Sequence, residues 1–158
     1  MWTMFKRLHT KLREMDTHEN QPLELWIQDK NNHKQVVESL KNHNVRSILF
    51  GTVSYFEGID LKGDSLTQII LTRLPYSVPT HPIQEILDAN YGYSQWEAVV
   101  RYEQAFGRLI RTGYDYGAFC ILDNRVAYLT QFVDMFRAED IPIVNELEEV
   151  ERFYRGFK

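Results

Sequence analysis

At 158 residues, 44% hydrophobic and 13% aromatic, the chain is long enough to bury one core and too short for two ordinary domains, so a single domain over 1–158 is expected. A formal charge of -4 argues against indiscriminate coating of nucleic acid but leaves room for a local basic row. The one cysteine, Cys120, excludes an internal disulfide or a cysteine-rich metal site here, and with no apolar run near the roughly 20 residues of a membrane span and no signal-peptide plan, a cytoplasmic chain is expected.

Met4, Phe5, Leu8, Leu12 and Met15 recur at helical spacing and predict a first helix. The stretch LELWI, 23–27, is the first predicted strand. Val36, Val37 and Leu40 mark a second helix, and 47–50 and 68–72 read as buried strands. Pro75, Pro79 and Pro82 stiffen the stretch after Leu74, ahead of a short helix over 83–89. A long helix follows over 94–112, then a strand over 117–123, a helix over 126–136, a short strand at 142–144 and an acidic helix over 146–154. Short β-branched runs alternating with helical segments imply an α/β fold, mostly a parallel sheet with helices on both faces. A doubly wound domain opens on a strand, whereas this chain opens inside a helix, so the first strand is expected to be missing.

Two stretches carry chemistry. The strand at 47–50 runs into Gly51 and Thr52 and then a glycine-bounded loop that closes at Gly63. That placement puts backbone N–H groups and small hydroxyls at the carboxyl edge of the sheet, where open α/β domains bind ligands. Thr52 and Ser54 can donate to phosphate oxygens; Glu57 and Asp60 cannot, and suit a ribose hydroxyl, a water or a basic partner. In the long helix Gln104, Arg108 and Arg111 fall within an arc of roughly 60°. They are expected to oppose a buried stripe of Trp96, Val99, Val100, Phe106, Leu109 and Ile110. Two arginines one turn apart can fork onto a phosphoryl group and stabilise charge developing there, and Gly107 would admit another backbone. Each feature taken alone also has an ordinary reading: a solvated arginine pair, a turn, a loop-capping Asp60. Cys120 reads as a small core residue, and the histidines lack metal-ligand spacing.

Order and spacing say more than any one feature. The stretch 51–63 (GTVSYFEGIDLKG), then Arg73-Leu74-Pro75-Tyr76 with Pro79 and Pro82, then 104–111 (QAFGRLIR), resembles the DinG/XPD-like family of ATP-dependent DNA helicases over nearly the whole chain. Asp115-Tyr116-Gly117 and 121–125 (ILDNR) are similar to the family's next segment. The resemblance implies the second RecA-like motor domain, a three-layer sandwich in which 51–63 is motif V and 104–111 is motif VI. It implies that Arg108 and Arg111 face the γ-phosphate of ATP held by the other motor domain, with Arg111 as the finger and Gln104 ordering that site. Gly58 and Asp60 would then face the nucleotide, and Thr52 and Ser54 the DNA backbone. Arg73 matches a family arginine that serves DNA, the nucleotide or the fold. Trp2 to Phe5 with Leu8 resembles the tail of motif IV, which brings Thr3 toward a DNA phosphate.

No G-x-x-x-x-G-K-[ST] loop and no acidic magnesium box occurs in these residues. ATP and Mg2+ are therefore expected to be held mainly by a first motor domain outside this chain, and any iron–sulfur cluster would lie outside it too. The expected partners are that domain and single-stranded DNA, with no membrane. The chain alone, as a fragment, split gene or relic, is expected to be inactive, and the family implies a role in DNA repair. Two other readings stay open: a non-catalytic adaptor or remnant, and a single-stranded DNA binding module stacking bases on Tyr55, Phe56, Tyr76 and Tyr91.

Overall fold

The computed structural model describes residues 2–16, 22–29, 31–52, 61, 63–77, 81–138 and 140–156. The chain divides into two compact units, Met1–Thr67 with Gln104–Gly117, and Gln68–Glu103 with Ala118–Lys158.

In the first unit, α1 (Trp2–Met15) precedes β1 (Leu23–Ile27), and α2 (His33–Leu40) carries the chain to β2 (Arg46–Phe50). The two strands run parallel with Leu25 opposite Ile48. Parallel neighbours need a crossover, and α2 supplies it. Asn32 closes the turn into α2: its Oδ1 accepts the Asp29 N–H at 3.1 Å and its amide donates to the Ile27 carbonyl at 2.9 Å. Leu25 and Val36 are buried. Beside them the buried Ser39 hydroxyl accepts the Trp26 indole N–H at 2.9 Å and shares a 2.6 Å bond with Ser47, so the polar atoms under the strands are satisfied.

In the second unit, β3 (Gln68–Leu71) and β4 (Ala118–Ile121) are parallel, with Ile69 opposite Phe119. Buried Ile69 and Leu71 alternate with exposed Gln68 and Ile70, the two-residue period of a strand covered on one face. Helix α3 (Pro82–Tyr91) starts on a proline, where a missing N–H costs nothing, and His81 Nδ1 accepts the Ile83 N–H at 3.2 Å. Helix α4 (Tyr93–Leu109) brings Tyr102 against Phe119, Phe136 and Phe132, with ring centroids 4.7, 5.2 and 5.8 Å away. The last two rings come from α5 (Thr130–Ala138). Helix α6 (Leu147–Arg155) is pinned by Tyr154, whose hydroxyl accepts the Ala118 N–H at 3.1 Å.

The α/β class and the parallel pairing agree with the sequence reading. Three details differ. The buried stripe of α4 is Ala98, Tyr102, Ala105 and Leu109, whereas Trp96 is 59% exposed and lies 6.0 Å from the Tyr93 ring. Small alanines at the helical interval let this stripe approach its neighbours, which a bulky indole would prevent. Residues 142–144 form no strand, as a proline without an N–H disfavours. Residues 124–128 form a 3-10 turn capped by Asp123, so α5 begins at Thr130 and not at 126.

Candidate active site at the end of α4

The carboxyl edge of the β1–β2 pair lies within the first unit. Gln28 follows β1 and donates its N–H to the Phe50 carbonyl at 2.9 Å. Its side-chain oxygen accepts both the N–H and the hydroxyl of Thr52, at 2.7 and 2.9 Å. A hydroxyl has one proton, and that of Thr52 is engaged with Gln28, so Thr52 can donate to a phosphate only by exchanging partners. Ser54, Gly58 and Asp60, with Tyr55, Phe56 and Glu57, lie outside the described residues. The loop returns through Leu61, which is buried, to Gly63 at φ 55, a left-handed backbone that glycine adopts without strain.

The polar row of the long helix is arranged differently from the expected one. Gln104 is exposed and Arg108 half-buried on the last turns of α4, but the helix stops at Leu109, not at 112. Asp115 explains the stop. The N–H groups of Arg111 and Thr112, which a continued helix would direct to the carbonyls of Gly107 and Arg108, instead donate to Asp115 Oδ2 at 2.9 and 2.8 Å. Arg111 thus follows the helix and does not sit one helical turn above Arg108. Its side chain is half-buried, with Nη2 shut off from solvent.

The other oxygen, Asp115 Oδ1, accepts the Gly63 N–H at 3.2 Å. One carboxylate therefore joins the closing residue of the 51–63 loop to Arg111. The N–H of Arg111, then that of Thr112, hold this carboxyl below its ordinary range, because both bonds favour the charged form. Gly117 must be glycine: a Cβ there would lie 2.5 Å from the Thr67 carbonyl oxygen and 2.6 Å from Leu109 Cδ1. At Gly107, by contrast, a Cβ would meet nothing within 4 Å among the described residues.

The remaining predicted site residues are not gathered here by any described contact. Thr3 lies in α1, and Arg73 is exposed just after β3 in the second unit. That unit holds an ion pair which the sequence reading quoted only inside its resemblance. Asp123, buried just after β4, accepts the Leu74 N–H at 3.0 Å and is forked by Arg125 Nε at 2.9 Å and Nη2 at 2.6 Å. The Arg125 hydrogen bond holds the Asp123 carboxyl well below the usual carboxylate range, against the opposing effect of burial. Arg125 also lies over the Tyr76 ring, 5.5 Å from its centroid. The missed signals are short: an aspartate four residues after Arg111, and an Asp-x-Arg triplet just past a strand. A cleft of about 430 Å³ in the second unit, lined by Tyr76, Ser77, Asp88, Gly92, Ser94 and Gln95, includes Tyr76 of the base-stacking reading and none of the residues of the motor reading.

Among the described residues no three His, Cys, Asp or Glu side chains gather where they could hold a metal ion. No described helix is long and apolar enough to cross a membrane.

The family model described as the helicase C-terminal domain matches residues 2–138, which run from α1 to the end of α5. The 3'-5' exonuclease DinG of Bacillus subtilis is 31% identical over 136 residues, 78% of this chain and 14% of that protein. The ATP-dependent DNA helicase DinG of Photobacterium profundum is 42% identical over 90 residues, 51% of this chain and 13% of that one. The ATP-dependent DNA helicase YoaA of Escherichia coli is 33% identical over 89 residues, covering 51% and 14%. The matches thus span 13 to 14% of the length of these relatives. With both motif stretches inside the matched residues and parallel strand pairs alternating with helices along the chain, the chain belongs to the helicase C-terminal domain family, as a DinG-like domain of RecA-like α/β fold.

Proposed function

We propose that this chain is the second motor domain of an ATP-dependent DNA helicase, that it works only beside a first motor domain, and that the pair moves along single-stranded DNA and parts duplexes, in DNA repair. The observation that carries the reading is the family match over 2–138, which holds the 51–63 loop and the 104–111 stretch in one chain. The exonuclease name belongs to a Bacillus relative of which 14% is matched, and no nuclease step is assigned to these residues.

ATP is the substrate, bound between the two domains. Arg111 acts as the finger on its γ-phosphate and Arg108 as a second donor, while Gln104 orders their approach. Guanidinium forks suit phosphoryl oxygens, and they stabilise charge that spreads over those oxygens during transfer. Closure of the cleft is then conditional on the γ-phosphate, and loss of phosphate lets it reopen. Gly58 and Asp60 face the nucleotide; Thr3, Ser54 and Arg73 hold the DNA backbone, as does Thr52 once its hydroxyl leaves Gln28. Mg2+ would be held, with ATP, mainly by the first motor domain.

The chain alone is expected to leave ATP intact. Mixed with the first motor domain of the Photobacterium helicase, it should give ATP hydrolysis that single-stranded DNA stimulates, and Arg111→Ala should lower turnover on the order of a thousandfold. Normal turnover in Arg111→Ala would defeat the finger assignment. No gain of hydrolysis on mixing would favour the adaptor reading.

A further inference from the structure

We propose that Asp115 is a positioning residue that couples the 51–63 loop to Arg111, so that the loop's engagement with DNA sets the aim of the arginine. The inference rests on the motor reading, in which Arg111 meets the γ-phosphate and the loop meets DNA. Its basis is the division of labour within one carboxylate: Oδ1 takes the Gly63 N–H, and Oδ2 takes those of Arg111 and Thr112.

Three points give this link the properties of a coupler. The partners lie far apart in sequence, Gly63 and Asp115 being 52 positions apart, so the bond reports tertiary arrangement and is not a local turn. Arg111 stands beyond the last helical turn, so its backbone N–H is directed by Asp115 in place of a helical carbonyl. The carboxylate is a rigid planar group. A shift of Gly63 that carries Oδ1 with it also moves Oδ2, which holds the two N–H groups on the other side.

The carboxylate also makes a sharp test available. Asp115→Asn keeps the shape but replaces one acceptor by an NH2 donor, which cannot face an N–H. The amide can keep Gly63 or the Arg111 and Thr112 pair, but not both, so the link is cut without opening a cavity. Asp115→Glu, longer by one methylene, retains both acceptors and tests whether chemistry or reach matters.

The experiment compares the 158-residue chain and its variants, each joined by the same first motor domain, for ATP hydrolysis with and without single-stranded DNA. Amide hydrogen exchange at Gly63, Arg111 and Thr112 is followed in parallel. Asp115→Asn is expected to cut the stimulation by DNA on the order of tenfold and to raise exchange on one side of the link only, with partial recovery of stimulation in Asp115→Glu. Full stimulation in Asp115→Asn overturns the proposal while leaving the motor reading intact. So does an equal drop in the rates with and without DNA, which marks a merely structural residue. If the wild-type pair hydrolyses no ATP, the motor reading fails and this inference falls with it. Amide exchange gives a readout independent of turnover: unchanged protection at all three amides in folded Asp115→Asn overturns the proposal.

Discussion

Asp123 shows how much one side chain can organise after a strand ends. It is buried, accepts the N–H of buried Leu74, and is forked by Arg125. Asp123→Ala leaves that N–H without its acceptor, and a stranded buried donor costs about 1–3 kcal/mol. Arg125→Ala should cost less, because the arginine side chain is 58% exposed and solvent screens the pair. Urea unfolding of both variants checks the order. The pH dependence follows from the depressed carboxyl. Its folded value lies below its unfolded one, so its stabilisation is whole above the unfolded value of roughly 4 and is lost as pH falls toward the folded one. The stability gap between wild type and Asp123→Asn should therefore narrow between pH 5 and the lowest measurable pH, about 2. Of these residues the sequence marked only type and spacing. The partners of Asp115 and Asp123 within four residues were legible as spacing, but their bonds to Gly63 and Leu74, 52 and 49 positions away, were not.

Helices and strands were legible in proportion to how local their causes are. LELWI was read as a strand with the bounds of β1, since its β-favouring residues lie between turn signals. Helix α4 was legible in its body and not at its end. Apolar periodicity continues through Ile110, but the chain leaves the helix where Asp115 captures the N–H groups of Arg111 and Thr112. Its buried face follows the small Ala98 and Ala105 and not the large Trp96, because close helix packing admits alanine, and apolar size alone does not mark that face. The same face gives a prediction. Tyr102 is 2% exposed and has three aromatic neighbours within 6 Å, so Tyr102→Ala opens a cavity among rings that cannot collapse. A loss of about 3–5 kcal/mol is expected, read as a lower midpoint in thermal unfolding.

For the whole chain the family was legible in the ordered motifs, and the model match over 2–138 agrees with it. The pairing of strands, β1 with β2 and β3 with β4, was not, because it depends on contacts distant in sequence. A net charge of -4 means that any grip on DNA phosphates must come from a few placed cations and not from the overall field. Arg73, exposed after β3, is one such cation in the proposed motor. If it holds a phosphate, Arg73→Ala in the two-domain assembly should weaken single-stranded DNA binding and lower the salt-dependence slope by about 0.7. A slope equal to wild type would remove Arg73 from the DNA contacts.

The bond from Ala118 to the Tyr154 hydroxyl has a consequence for biosynthesis. The first amide of β4 is synthesised before its acceptor exists, because the phenol that answers it lies 36 residues later in the chain. Translation therefore passes through a stage at which this strand is made but its opening N–H must be satisfied by water, and the second unit reaches its finished bonding only after its final helix has emerged.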